Sequence, residues 1–262
     1  NPHRVEPLIK KRRDLDSLAY LYPAPRKDLI EDIPLLLADI GDRAVLAAVD
    51  CTHAGSWGME VLGPEQMLVA SLTDVELLQG VCRMANDAHL RNLRAMLEQG
   101  LEVVFDSWFQ CGPSVGWSPQ TYEEVFLPLV REAVQLTHEF DAIYIYQDDG
   151  KQRDIIPLLV EVGVDVIAGL QPPEVGDVEL SKAKRLCRDR VALMGGLDPC
   201  YTFDRGTPEG VRQAVRQAIE DGGAGGGYVL ATAEAVAPET PAGCLRAAVQ
   251  AVKDFGVYGR TL

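Results

Sequence analysis

Apolar and polar positions along this chain follow two periods in alternation. Short apolar runs end in an acid, an amide or a glycine. Longer stretches follow, in which apolar residues recur at helical spacing. The clearest instance is Ile143-Tyr144-Ile145-Tyr146, which stops at Gln147-Asp148-Asp149-Gly150 and gives way to a helix-like stretch from Arg153 to Val160. Strand, glycine turn and helix in that order read as a βα unit. The same reading places strands at Ala44–Asp50, Leu101–Asp106, Val164–Leu170, Val191–Met194 and Tyr228–Ala231. Helices are predicted from Asp28 to Ile40 and, as a pair, over Gly63–Gln99, with Thr73 or Asp74 capping the second. Others are predicted from Ser118-Pro119 to about His138, over Glu179–Cys187, from Thr207 to Asp221 and from Thr240-Pro241 to near Gly256. A glycine-bearing loop with Trp57 is predicted after the first strand. Residues 1–27, polar and proline-bearing, read as an extended arm with one short helix. Residues 28–262 read as one barrel domain.

Buried-type strands alternating with helices imply a parallel sheet with right-handed crossovers. An eight-stranded barrel is the favoured closure and an open sheet the alternative, since six strands are legible. In either case the strand ends share one rim, where such folds place their chemistry. The residues there are Asp50 and His53; Asp106 and Trp108; Gln147, Asp148 and Asp149; Gln171; Asp198; and Glu234. Crowded carboxylates cannot all stay ionised cheaply. A cation must neutralise them, a proton must be held, or some must turn away as caps. A single Asp after a strand is more often a cap, so recurrence around one rim carries the functional reading. His53 reads equally as packed or catalytic, and Trp108 as rim packing or a stacking wall for a flat ligand. His89 and His138 fall on helices and read as structural or exposed. Gly222–Gly227 precedes a strand and reads as a turn, not a phosphate loop.

Composition narrows the classes. A formal net charge of -14 argues against non-specific nucleic-acid binding, which needs clustered cations. The short cluster Lys10-Lys11-Arg12-Arg13 reads as a solvated face. No apolar run approaches the roughly 20 residues that span a bilayer, and no secretory signal is visible. The six cysteines are scattered without a CxxC pair, which fits a reducing cytoplasm.

Phe105-Asp106-Ser107-Trp108, Gly196-Leu197-Asp198-Pro199, and Gly226-Gly227-Tyr228-Val229-Leu230 followed by Pro238-Glu239-Thr240-Pro241 resemble the uroporphyrinogen decarboxylase superfamily. That group includes tetrapyrrole decarboxylases and corrinoid-linked methyltransferases. Asp14-Leu15-Asp16-Ser17-Leu18 before a Tyr-Pro is more similar to the methyltransferase branch. The likeness runs from about Asp14 onward. It implies a (β/α)8 TIM barrel of which about six of eight units are visible, the first units and an arginine-rich anion clamp lying upstream of Asn1.

The resemblance also implies an activity and a ligand set. In the zinc-dependent methyltransferases a His-x-Cys-Gly stands where this chain has Gln147-Asp148-Asp149-Gly150. Their later cysteine, and the decarboxylases' late histidine, match Glu234. The implied metal set becomes Gln147, Asp149 and Glu234, all oxygen donors, suited to a hard divalent cation or to none. Asp106, Asp149 and Glu234 are the catalytic candidates, with His53, Trp108, Gln171 and Asp198 facing a small-molecule substrate. A polycarboxylate substrate needs facing cations, and only Lys151 and Arg153 lie nearby in sequence. Methyl transfer with a corrinoid carried by a partner protein is therefore the leading expectation. Tetrapyrrole decarboxylation is the alternative, and a non-catalytic binding protein on the same barrel is a third. A homo-oligomer is expected if apolar surface is left at an incomplete barrel.

Overall fold

The computed structural model describes residues 6–21, 30–50 and 54–257, apart from the side chains of residues 18–21, 49 and 50. His53 lies outside the described residues. The chain forms two compact units, Asn1–Gln147 and Asp148–Leu262.

In the first unit a 3-10 segment, Arg12–Leu21, belongs to the arm. The main elements are α1 (Ile33–Ile40), β1 (Ala47–Asp50), α2 (Ala54–Val61), α3 (Pro64–Thr73), α4 (Val75–Leu97), β2 (Val103–Ser107), α5 (Leu127–His138) and β3 (Ile143–Gln147). The strands pair in parallel in the order β1-β2-β3, with Ala47 opposite Val103 and Val103 opposite Ile143. The arm is held to α4 electrostatically. Asp74 caps that helix by accepting Leu77 N–H at 3.2 Å, and it also pairs with Arg12.

Residues 54–61 form a helix where a glycine-bearing loop is predicted. The glycines there serve close packing. A Cβ on Gly55 would lie 2.6 Å from Cys111 Sγ, and one on Gly58 would lie 2.6 Å from Met67 Cε. The predicted helix from Ser118 does start there, its hydroxyl accepting Thr121 N–H at 3.0 Å. One wide π turn, Tyr122–Phe126, interrupts it just before α5. Pro128 supplies the reason, because it has no N–H for the helical bond back to residue 124.

The second unit holds α6 (Ile156–Val162), β4 (Val166–Leu170), α7 (Leu180–Cys187), β5 (Ala192–Leu197), α8 (Pro208–Gly223), β6 (Tyr228–Thr232) and α9 (Ala242–Phe255). Its strands pair in parallel in the order β4-β5-β6. Strand β5 runs three residues beyond its predicted end at Met194, because Gly195 and Gly196 stay in the ladder at φ +131° and +94°. At Gly195 a Cβ would lie 2.8 Å from Leu170 N, so only glycine permits this approach of β4 and β5.

Burial alternates along the strands as a packed parallel sheet requires. In β3, Tyr144 and Tyr146 are buried while Ile143 is 47% exposed. In β5, Leu193, Gly195 and Leu197 are buried and the residues between them are half-buried. No described helix is long and apolar enough to cross a membrane.

Candidate functional site

Asp106 sits in β2, opposite Tyr146 of β3, with no exposed surface. One of its carboxylate oxygens gathers three side chains. The Tyr144 hydroxyl donates to it, Trp108 Nε1 donates at 3.2 Å, and His89 Nε2 of α4 lies 3.3 Å away. Trp108 Nε1 is shared with the Tyr144 oxygen at 2.8 Å. Burial, and then the charge of Asp106, hold the Tyr144 phenol well above its usual pKa. It therefore remains a donor at any physiological pH. Trp108 is also fully buried and stacks on Tyr146, with ring centroids 6.3 Å apart. Asp106 and Trp108 thus belong to a packed polar network around α4, not to an accessible mouth. Asp106, expected as an acid/base group, and Trp108, expected as a ligand wall, are both fully buried in this structure. Side-chain alternation is the reason, since Asp106 shares its face with buried Val104 and not with Ser107.

Ser107 and Gln147 occupy the other face at the ends of β2 and β3. The Ser107 hydroxyl donates to Gln147 Oε1 at 2.7 Å, and Trp108 N–H donates to the Gln147 carbonyl at 2.7 Å. Gln147 is 6% exposed and its amide oxygen already receives a donor.

In the second unit the loop after β3 is fastened through its backbone. Asp149 N–H donates to Asp148 Oδ1 at 2.9 Å and Gly150 N–H to Gln171 Oε1 at 2.8 Å. Gln152 N–H and Arg153 N–H donate to Asp177 Oδ1 at 2.9 and 3.0 Å. The Gln152 side chain is fully buried. Its amide nitrogen reaches the carbonyls of Asp148, Ala168 and Gly169 at 2.7, 3.2 and 3.0 Å. This clamp ties the loop to β4. Four N–H groups that could have faced an anion are occupied by the chain's own oxygens. Gly150, at φ +72°, makes the turn that the clamp secures.

The half-buried Asp149 leaves this loop beside Glu234, which follows β6. Glu234 Oε1 is buried and meets no donor among the described residues. Burial first, and the Asp149 charge second, push the Glu234 pKa up, partly offset by the N–H of Ala235. Two of the three predicted metal ligands are therefore electrostatically coupled, while Gln147 is engaged by Ser107. Among the described residues, no group of three His, Cys, Asp or Glu side chains could hold a metal ion. Two carboxylates still suit a hard cation that keeps most of its waters. Thiolate ligation of a soft metal does not fit, since no cysteine lies at these positions.

The two remaining predicted substrate residues, Gln171 and Asp198, bond to the chain's own backbone. Gln171 is buried and holds Gly150. Asp198 is buried and caps the π turn Pro199–Asp204, accepting the N–H groups of Cys200, Tyr201 and Thr202. Sequence reading missed Gln152 and Asp177, which carry no motif, and Tyr144, whose alternation with Tyr146 in the strand was the available signal.

Comparison with known proteins decides the family. The uroporphyrinogen decarboxylase (URO-D) family model matches residues 54–255. The chain belongs to the uroporphyrinogen decarboxylase family. A uroporphyrinogen decarboxylase of Pseudoalteromonas translucida is 31% identical over 176 residues, covering 64% of this chain and 46% of the relative. One from Cupriavidus metallidurans is 25% identical over 239 residues, covering 87% and 61%. The matched region spans less than two thirds of the length of these relatives. Among solved structures, a methyltransferase from Methanosarcina mazei superposes with TM-score 0.71 at 18% identity, covering 87% of this chain and 64% of that one. At that identity the likeness concerns the fold, which is that of the (β/α)8 barrel enzymes, with six βα units among the described residues of this URO-D family chain.

Proposed function

We propose that this URO-D family chain carries out one-carbon (methyl) transfer between a small neutral or cationic donor and a corrinoid carried by a partner protein. The observation that supports this reading is the acidic character of the loop site. Asp149 lies there beside Glu234, whose proton it helps to hold, and the N–H groups of Asp149, Gly150, Gln152 and Arg153 donate to the chain's own side-chain oxygens. A tetrapyrrole acid bearing many carboxylates would be repelled from such a surface. A neutral ether or thioether, or a methylated amine, would not.

In this reading Glu234 holds a proton that passes to the leaving heteroatom as its bond to the methyl group breaks. Asp149 maintains that proton on Glu234 by charge and orients the donor. The corrinoid, when bound, supplies the electron pair that accepts the methyl group. A divalent cation held by Asp149 and Glu234 would instead polarise the same heteroatom. This reading takes the setting to be the cytoplasm, and no disulfide joins the described cysteines.

The second reading is decarboxylation of a tetrapyrrole acid, supported by the 31% identity to a named decarboxylase. One experiment separates the two. The purified protein is supplied with methyl donors and a reduced corrinoid, or with uroporphyrinogen, each with and without Mg²⁺ or Mn²⁺. Methylation of the corrinoid that is lost in Asp149→Asn and Glu234→Gln supports methyl transfer. Release of CO₂ from uroporphyrinogen, with no methylation, replaces it with decarboxylation.

A further inference from the structure

The two peptide groups that flank Asp149 are both held by glutamine side chains. The carbonyl before it, that of Asp148, accepts from the fully buried Gln152 amide at 2.7 Å. The N–H after it, that of Gly150, donates to Gln171 Oε1 at 2.8 Å. Peptide groups are planar, so holding both of them fixes φ and ψ at Asp149 and aims its Cα–Cβ bond. The glutamines need support in turn, because holding a long amide side chain costs rotamer entropy.

That support comes from the segment between β4 and α7. Helix α6 starts without a cap of its own, since Ile155 stands at the cap position and offers no side-chain acceptor. Asp177 supplies an acceptor from outside the helix. Its Oδ1 takes the N–H groups of Gln152 and Arg153 at 2.9 and 3.0 Å, which anchors the backbone that carries the Gln152 amide. Gly176, next to it, lies flush against the other support. A Cβ there would collide with the carbonyl oxygens of Gly150 and Gln171. The segment holds its own shape, with Gly176 N–H donating to the Pro172 carbonyl at 2.9 Å and Val178 N–H to that of Gln171 at 3.0 Å. Asp177 forms no bond to Asp149 or Glu234 among the described residues, so its influence on the site passes through the loop.

We propose that Asp177 and Gly176 are positioning residues for Asp149, acting through Gln152, Gly150 and Gln171 and not on a substrate. This role rests on the proposed function, in which Asp149 works beside Glu234. The loops that follow β3 and β4 are locked into one, and a shift of the second is passed to the acid carried by the first.

The test is amide hydrogen exchange on wild type, Asp177→Ala, Asp177→Asn and Gly176→Ala, beside turnover in whichever of the two reactions above the wild type performs. In Asp177→Ala the N–H groups of Gln152 and Arg153 lose their acceptor and exchange faster in any case. A positioning role requires the loss of protection to spread to Asp149 and Gly150, about tenfold or more, while Leu193 and Leu197 of β5 stay protected. Asp177→Asn keeps an oxygen for the same two N–H groups and should restore protection. Gly176→Ala keeps every hydrogen-bonding group and should open Gly150 by displacing its carbonyl. In turnover, Asp177→Ala and Gly176→Ala should lower kcat about tenfold or more and leave KM within about threefold, since a misaimed group costs rate more than binding. Asp177→Asn should recover most of that loss. Loss of protection confined to Gln152 and Arg153 makes Asp177 a local cap and overturns the proposal. So does an Asp177→Asn protein as impaired as Asp177→Ala, or an unchanged kcat once Asp149 and Gly150 have opened. A wild type that performs neither reaction overturns the proposed function instead, and the exchange pattern still decides whether Asp177 holds Asp149.

Discussion

Asp106 and Asp149 come from the same motif, an acid closing an apolar run, yet the two units use them in opposite ways. In the first unit Asp106 is sealed among Tyr144, Trp108 and His89. Tyr144 and Trp108 donate to one of its oxygens, His89 Nε2 lies 3.3 Å from the same oxygen, and the carboxylate has no exposed surface. In the second unit Asp149 is half-buried on a clamped loop, and its charge falls on a carboxyl group, Glu234, whose Oε1 meets no donor. A fully buried acid held by the donors of packed aromatic residues contributes to the core around it. A half-buried carboxyl group that sits beside a second acid, as Glu234 does beside Asp149, has its proton held more tightly. Strand-end acids in a parallel sheet are therefore not one class, and their partners separate them.

The largest effect that would break this comparison is at Asp106. Asp106→Ala should cost about 3–5 kcal/mol, the penalty for stripping a buried charge network of its centre. Thermal and urea unfolding measure it. Asp106→Asn, which keeps an acceptor, should cost less. If Asp106→Ala were as stable as wild type but inactive, Asp106 would be catalytic and the contrast would fail.

Next is the clamp. Gln152→Leu removes the amide that serves three buried carbonyls, a loss of roughly 1–3 kcal/mol. It should also lower turnover roughly a hundredfold by letting Asp149 drift, since a displacement near 1 Å is enough. Full activity in a destabilised Gln152→Leu protein would show that the loop need not be held.

Glu234 sharpens the comparison through pH. Its folded pKa is raised, so the native state holds this proton more tightly than the unfolded chain does. The stability it contributes is complete below about 4.5, the usual glutamate value, and is lost as pH rises through the folded value. Glu234→Gln should match wild type at the acid end and become relatively more stable above that window. Unfolding midpoints of both proteins across pH 4 to 8 check the sign. A difference that shrinks with rising pH would mean that Glu234 is stabilised as an anion, as by a bound cation.

The smallest effect concerns thiols. Cys82 is fully buried, and burial pushes its pKa up to about 12, whereas Cys200 is exposed. A thiol reagent at neutral pH should modify Cys200 and leave Cys82 intact until the first unit opens. Early loss of Cys82 would mean that the packing around α2 and α4 is looser than the buried His89–Asp106 network requires.

The fold was legible because its signal is local. Apolar runs at Leu101–Asp106, Ile143–Tyr146 and Val164–Leu170 end at glycines and acids, and helical spacing follows each. Parallel pairing then follows from connectivity, since each pair of strands is joined through a helix. The wide turn at Tyr122–Phe126 and the helix at Ala54–Val61 escaped because they depend on Pro128 and on the close packing of Gly55 and Gly58.

By itself the sequence determined the α/β class, the six strands, the family and the coupling candidates Asp149 and Glu234. Only the tertiary structure decided that Asp106 turns into the helix layer, that Asp198 is a cap and that Gln152 fastens the loop. The physical reason is parity and distance. A strand side chain changes face with a shift of one residue, so an acid's position in a run does not say which face it joins. The groups that settle its role arrive from elsewhere in the chain, as His89 reaches Asp106 from α4.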